Sequence, residues 1–230
     1  MTPARCNLKE VSFSHLFPVE VARALVGGLT LAFAYMHSRG NVHGGLYTLE
    51  LSIILLSDFG ETFNPDLEPR LGKDCHTPLA ARPPDAWFEI QTSLSYSADI
   101  WSLATAFFSS EYTSVDEVIC QQIDVLGSLP LEWFESWGKR DLYFDDDGVP
   151  KDGRYVWSSI DGAFEEGVQK YRRKFGMGEF DGEETAAFLD LMRRMLTFRP
   201  EERPTAREVL QSRWMVEWVL PDFERSSQMG

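Results

Sequence analysis

Two short stretches concentrate the residue types that carry polar chemistry. His43-Gly44-Gly45-Leu46 places a histidine on a glycine pair, and Ser57-Asp58-Phe59-Gly60-Glu61 places two carboxylates around a third glycine. A carboxylate such as Asp58 can hold a divalent cation, and it can equally cap a turn ahead of Gly60. His43 has no carboxylate motif beside it and reads as a packed histidine rather than a base. Asp99 falls where a helix should begin, a position at which the helix dipole favours an acid. Asp145-Asp146-Asp147-Gly148 has part of the spacing of a Ca²⁺ loop. Its first-ligand position falls on Tyr143 and its bidentate-glutamate position on Arg154, so it reads as a solvated acidic insert. Cys6, Cys75 and Cys120 are odd in number and far apart, which fits a reducing compartment rather than a metal or disulfide framework. Trp101, Trp133, Trp137 and Trp157 read as core rather than as a ligand cage.

The elements that must position these residues come from pattern and punctuation. The chain has 230 residues with 36 acidic and 22 basic side chains, a formal charge of −14. That sign excludes a general nucleic-acid binder and favours a basic partner. The longest apolar segment, 19–36, is interrupted by Glu20, Arg23 and Gly27-Gly28, so it predicts a core helix over 18–39 rather than a membrane span. Pro18 suits its start and Gly40 its stop. Leu51 to Leu56 predicts a buried strand. Residues 61–88, rich in Pro, Asp and Gly, predict a long surface segment. Helical patterning returns at 97–109, and Ser114 to Glu117 is a capping box for the next helix. An irregular insert is expected at about 127–160 and an amphipathic helix at 183–196. Thr205 to Glu208 is a second capping box that opens a short last helix. The expected architecture is mainly α, with 18–216 as the folded unit between an N-terminal tail (1–17) and a C-terminal tail (217–230). The N-terminus lacks a signal-peptide run, so an intracellular, cytoplasmic or nuclear, setting is expected.

In chain order the motifs are His43-Gly44-Gly45-Leu46, Ser57-Asp58-Phe59-Gly60-Glu61, Pro83-Pro84-Asp85, Ser97-Ala98-Asp99-Ile100-Trp101, and Arg199-Pro200 through Arg203-Pro204. Together they resemble the C-terminal lobe of eukaryotic protein kinases over roughly residues 18 to 216. The closest likeness is to fungal relatives of the SR-protein serine/threonine kinases. The resemblance implies a mainly α, kinase-like C-lobe with little residual β-sheet. It also implies roles for the matching positions. Asp58 would hold Mg²⁺ on the phosphates of ATP, and Glu50 stands at the position of the second metal ligand. Asp99 would bond the backbone of the catalytic loop, Arg203 would pair with Asp85, and His43 would pack beneath Phe59. Thr62 and Thr77 lie in the segment that carries phosphosites in active kinases, near Arg70, Lys73 and Arg82.

Against that pattern, the position of the proton-accepting aspartate is Gly45, which has no side chain to accept a proton. The 17 residues ahead of Pro18 contain no glycine-rich phosphate loop, and Lys9 is their single lysine. The resemblance without those parts implies a pseudokinase or truncated product that acts, if at all, by binding a protein, a basic or Arg-rich one. No ATP or Mg²⁺ would then be needed. Self-association is a further expectation, through the apolar face that an N-lobe would cover. The alternative is an ATP-dependent serine/threonine kinase whose N-lobe and catalytic-loop residues lie outside this sequence.

Overall fold

A computed structural model describes residues 17–45, 50–51, 54–55, 59–105 and 114–228. The fold is mainly α, as its patterning predicts. Helix α1 (Val19–Ser38) begins directly after Pro18, whose carbonyl accepts the Ala22 N–H at 3.0 Å. It ends at Gly40, which takes the left-handed φ of +81° that a side chain would resist. By length and apolarity α1 could cross a membrane. Its charges argue for a protein interior instead, because Arg23 pairs with Glu184 and with Asp222 (3.2 Å), both almost fully buried.

Strands β1 (Glu50–Leu51) and β2 (Ile54–Leu55) pair antiparallel, with Glu50 opposite Leu55. The single strand expected from Leu51 to Leu56 is therefore a minimal hairpin. An apolar run with no Gly, Asn or Pro at its reversal gives no sequence signal for the turn. The segment after it is irregular, as expected, but it is anchored rather than superficial. Val42 pairs with Phe63 and Leu71 with Ser93 as isolated bridges. Beneath the segment Val42, Phe63, Cys75, Ala86, Leu94 and Ala98 form a small buried cluster of their own.

Helix α2 (Asp85–Phe88) leads to α3 (Tyr96–Thr105), the centre of the molecule. Ile100, Trp101, Leu103 and Ala104 on α3 are at most 1% exposed. Helix α4 (Val115–Leu126) begins with the predicted capping box: Ser114 Oγ accepts the Glu117 N–H, and Glu117 accepts the Ser114 N–H. The expected irregular insert contains two short helices, α5 (Leu131–Ser136) and α6 (Arg140–Tyr143). Pro130 sets the start of α5, and burial of Trp133, Trp137 and Phe144 holds both helices where local propensity alone would not. The acidic run that follows is a turn. Asp145 Oδ1 accepts the N–H groups of Asp147 (3.1 Å) and Val149 (2.8 Å). Arg154, at the position a Ca²⁺ loop would give to glutamate, donates to both oxygens of Asp124.

Helix α7 (Ile160–Phe164) passes through a wide π turn (Glu165–Gln169) into α8 (Lys170–Lys174). Amphipathic α9 (Gly182–Met195) then runs to α10 (Ala206–Leu210), which begins at the second predicted capping box. The chain is not a tail beyond 217. A π turn (Met215–Val219) continues into α11 (Leu220–Gln228), which packs along α1. Met215 and Val219 are fully buried there. Gly27 is the reason α11 can approach: a Cβ on it would meet the Phe223 Cβ at 3.0 Å.

Candidate functional site

The loop after α1 is held in shape by one buried carboxylate. Asp99, 2% exposed at the start of α3, accepts the backbone N–H of His43 at 2.7 Å and of Gly44 at 3.0 Å. His37, near the end of α1, stands 3.0 Å from the same carboxylate. Two N–H groups and an imidazole on one carboxylate fix the loop against both helices. The His43 ring is 1% exposed and packs edge-on to Phe33 (5.8 Å) and Phe59 (5.6 Å), the contact with Phe59 that the resemblance implied. Phe59 itself is half exposed, and it shares a single 3₁₀ turn with Gly60 and Glu61.

Gly44 takes a left-handed φ of +76°, and a Cβ there would lie 2.5 Å from the Glu61 carbonyl oxygen. Glycine is therefore required at Gly44 by the backbone. Gly45 is different. It is buried, and among the described residues a Cβ on it would meet only the Glu61 side chain, at 3.7 Å, an ordinary contact. The fold thus leaves room for a side chain at the position where the resemblance expects a proton acceptor.

Nearby carboxylates are committed elsewhere. Glu61 accepts from Arg70 Nη1 at 2.8 Å and lies 2.7 Å from His76 Nδ1. The His76 bond is the main reason its carboxyl sits below the usual glutamate range, with the charges of His76 and Arg70 adding to it. Such a group is a weak proton acceptor. Arg70 also donates to the Glu61 carbonyl and lies over the Phe63 ring, 4.8 Å from its centroid. Asp99 spends its lone pairs on the loop backbone. The described residues thus offer no carboxylate open to a cation here. Among them, no group of three or more His, Cys, Asp or Glu side chains forms a metal cage.

Asp58 lies outside the described residues. Glu50 is placed only as a strand position opposite Leu55, so its role as a metal ligand stays an expectation. The Thr77 hydroxyl is 2% exposed and donates to the Gly44 carbonyl at 2.8 Å. Modification of Thr77 would require that hydroxyl to leave the loop first. Thr62 is half-buried, and its hydroxyl oxygen has no hydrogen-bond partner among the described residues.

Asp85 and Arg203 meet as the resemblance implied, with Asp85 Oδ1 2.5 Å from Arg203 Nη2. The Arg203 side chain is fully buried; burial pulls its pKa down while Asp85 holds it up. Its remaining N–H groups reach the carbonyls of Thr197 (2.8 Å), Phe198 (2.7 Å) and Ser97 (3.3 Å), and its guanidinium lies 4.9 Å from the Trp101 ring centroid. With one methylene fewer than glutamate, Asp85 makes a single close contact, and backbone carbonyls supply the rest.

Sequence reading identified Asp99, His43, Phe59, Asp85 and Arg203 but missed His37, the Glu61–Arg70–His76 cluster and the Thr77–Gly44 bond. Glu61 stood inside a quoted motif. Nothing in the spacing signalled its partners, which lie nine and fifteen residues away across an aperiodic segment.

No protein-family model matches the chain. It is 28% identical over 141 residues to a serine/threonine-protein kinase, SRPK, of Physarum polycephalum. The match covers 54% of this chain and 30% of that relative. Physarum polycephalum is not a fungus, so the fungal narrowing of the resemblance has no support. What the match and the mainly α architecture support together is a kinase-like relationship.

Proposed function

We propose that this chain is a kinase-like C-lobe that acts by binding a protein and does not transfer phosphate. Gly45 carries the reading: Asp99 holds the backbone of His43 and Gly44 beside it, yet Gly45 itself has no side chain to accept a proton. Without a base on the attacking hydroxyl, phosphoryl transfer loses a positioning contact that the family's chemistry depends on. The proposed partner is a basic, arginine-rich protein, because a surface with a net charge of −14 attracts one.

The test is a phosphotransfer assay with radiolabelled ATP, Mg²⁺ and an Arg-Ser-rich peptide, run beside an Asp58→Asn control. The expected result is no turnover above that control, together with salt-sensitive binding of the peptide in a titration. Turnover above the control, or tight Mg²⁺-dependent nucleotide binding, would overturn the reading. Light scattering in the same buffer reads out self-association, the other binding mode proposed for this chain.

A second reading is an ATP-dependent serine/threonine kinase of which this sequence is one part. The observation behind it is that the match spans only 30% of the relative. A transcript that encodes a glycine-rich loop and a phosphate-binding lysine in frame upstream would favour it.

A further inference from the structure

Away from the Gly45 loop, residues of α1, α7, α8 and α9 line a cavity of about 130 Å³. An apolar cavity of about 150 Å³ takes up benzene, so the space suits a small organic body. The side chains around it are apolar or aromatic except for two guanidiniums, those of Arg23 and Arg172, each 5.8 Å from the Phe180 ring centroid. The indole N–H of Trp214, also in the lining, is already donated to Glu184 at 3.1 Å. Both π turns border the cavity: Val168 stands in the first, and Trp214 directly precedes the second. Such turns widen a helix locally and recur at functional sites.

The two arginines differ in their partners. Arg23 is matched, because Glu184 and Asp222 accept its N–H groups. Arg172 is 4% exposed and forms no ion pair with a described residue. Its Nε and Nη2 donate to the carbonyls of Gly178 (2.6 Å) and Phe17 (3.1 Å), and its Nη1 has no acceptor among the described residues. That nitrogen is not sealed in the interior as the Trp101 indole N–H is, so a group in the cavity can reach it. The nearby carboxylates are committed, Glu184 to Arg23 and Trp214, and Asp222 to Arg23 and Arg225. Burial pulls the Arg172 pKa down and the charge of Arg23 adds to it, a direction that an arriving anion reverses. A buried cation without a counter-charge carries a desolvation cost, and the same anion offsets it.

We infer that this cavity is a binding site for a small apolar carboxylic acid, its carboxylate on Arg172 Nη1 and its hydrocarbon body among Phe164, Val168, Phe180 and Phe188. The site shares no residue with the Gly45 loop and does not depend on whether the chain transfers phosphate.

The probe is benzoate, titrated into the ¹⁵N-labelled full chain, with benzamide as the uncharged isostere. Backbone amide resonances of Val168 and Arg172 should move with benzoate, and those of His43 and Gly44 should not. Benzamide should bind at least roughly tenfold more weakly, because it brings no charge to Arg172. Arg172→Gln should weaken benzoate by a similar factor and leave benzamide within about twofold. Ala22→Phe keeps Arg172 and fills the cavity with its own ring, so it should abolish binding of both. The comparison of the two probes needs the parent chain alone and decides the charge selectivity whether or not Arg172→Gln folds. Unmoved resonances at Val168 and Arg172, equal affinity for the two probes, unchanged benzoate affinity in folded Arg172→Gln, or undiminished binding to Ala22→Phe would each overturn the inference.

Discussion

A side chain on Gly45 would begin 3.7 Å from the Cβ of Glu61, at ordinary van der Waals distance, whereas one on neighbouring Gly44 would strike the Glu61 carbonyl at 2.5 Å. Two adjacent glycines therefore answer to different constraints. Gly44→Ala should destabilise the chain by at least about 2 kcal/mol, since the left-handed backbone alone costs about 1–2 kcal/mol with a side chain and the clash adds to it. Gly45→Ala should lie within about 0.5–1 kcal/mol of the parent. Thermal melts of the two variants check this, and equal losses would refute the distinction.

Asp85→Ala leaves the fully buried guanidinium of Arg203 without its counter-charge. The expected loss is about 3–5 kcal/mol, the usual cost of breaking a buried pair from one side. The double variant Asp85→Leu/Arg203→Met removes both charges and should lose less than Asp85→Ala alone. Urea denaturation of the three proteins decides it.

Gly27→Ala pushes a methyl to 3.0 Å from the Phe223 Cβ and 3.2 Å from Val219 Cγ1, so α11 must shift away from α1. A loss of about 1–3 kcal/mol is expected, as for other overpacked cores. Adding Val219→Ala, which removes the Cγ1 at 3.2 Å, should cost less in the Gly27→Ala background than in the parent, giving a favourable coupling energy in the double-mutant cycle. Additive losses would mean that the two residues do not limit each other.

The Glu61 carboxyl lies below the usual glutamate range because of its bond to His76 and the charges of His76 and Arg70. A depressed carboxyl contributes stability that is fully present above its unfolded value, about 4.3, and is lost as pH falls through its folded value. The stability of Glu61→Gln relative to the parent should therefore be lowest near neutrality and rise toward the parent in acid. A carboxyl-carbon NMR titration of Glu61 should give a midpoint below about 4.3. A midpoint at or above that value would contradict the cluster.

The two cysteines among the described residues fit this picture of structural residues. Cys75 and Cys120 are free and buried, and burial pushes the Cys120 thiol up to about 12. A thiol held protonated at neutral pH is a packing group rather than a nucleophile.

The sequence by itself determined the starts of α1, α4 and α10, because apolar periodicity, Pro18 and the capping boxes at Ser114 and Thr205 are local signals that local physics obeys. It also determined the ends of the loop network: Asp99, His43, Asp85 and Arg203 stand in motifs whose order carries information. Three things were decided only by tertiary structure. The hairpin at Glu50–Leu55 had no turn residue to announce it. The short helices at Leu131–Ser136 and Arg140–Tyr143 form because Trp133, Trp137 and Phe144 are buried, and α11 because Met215 and Val219 are, neither of which composition or periodicity reports. The partners of Glu61, Thr77 and Arg70 were illegible for the same reason: contact between residues far apart in an aperiodic segment is set by chain packing and leaves no repeat to read.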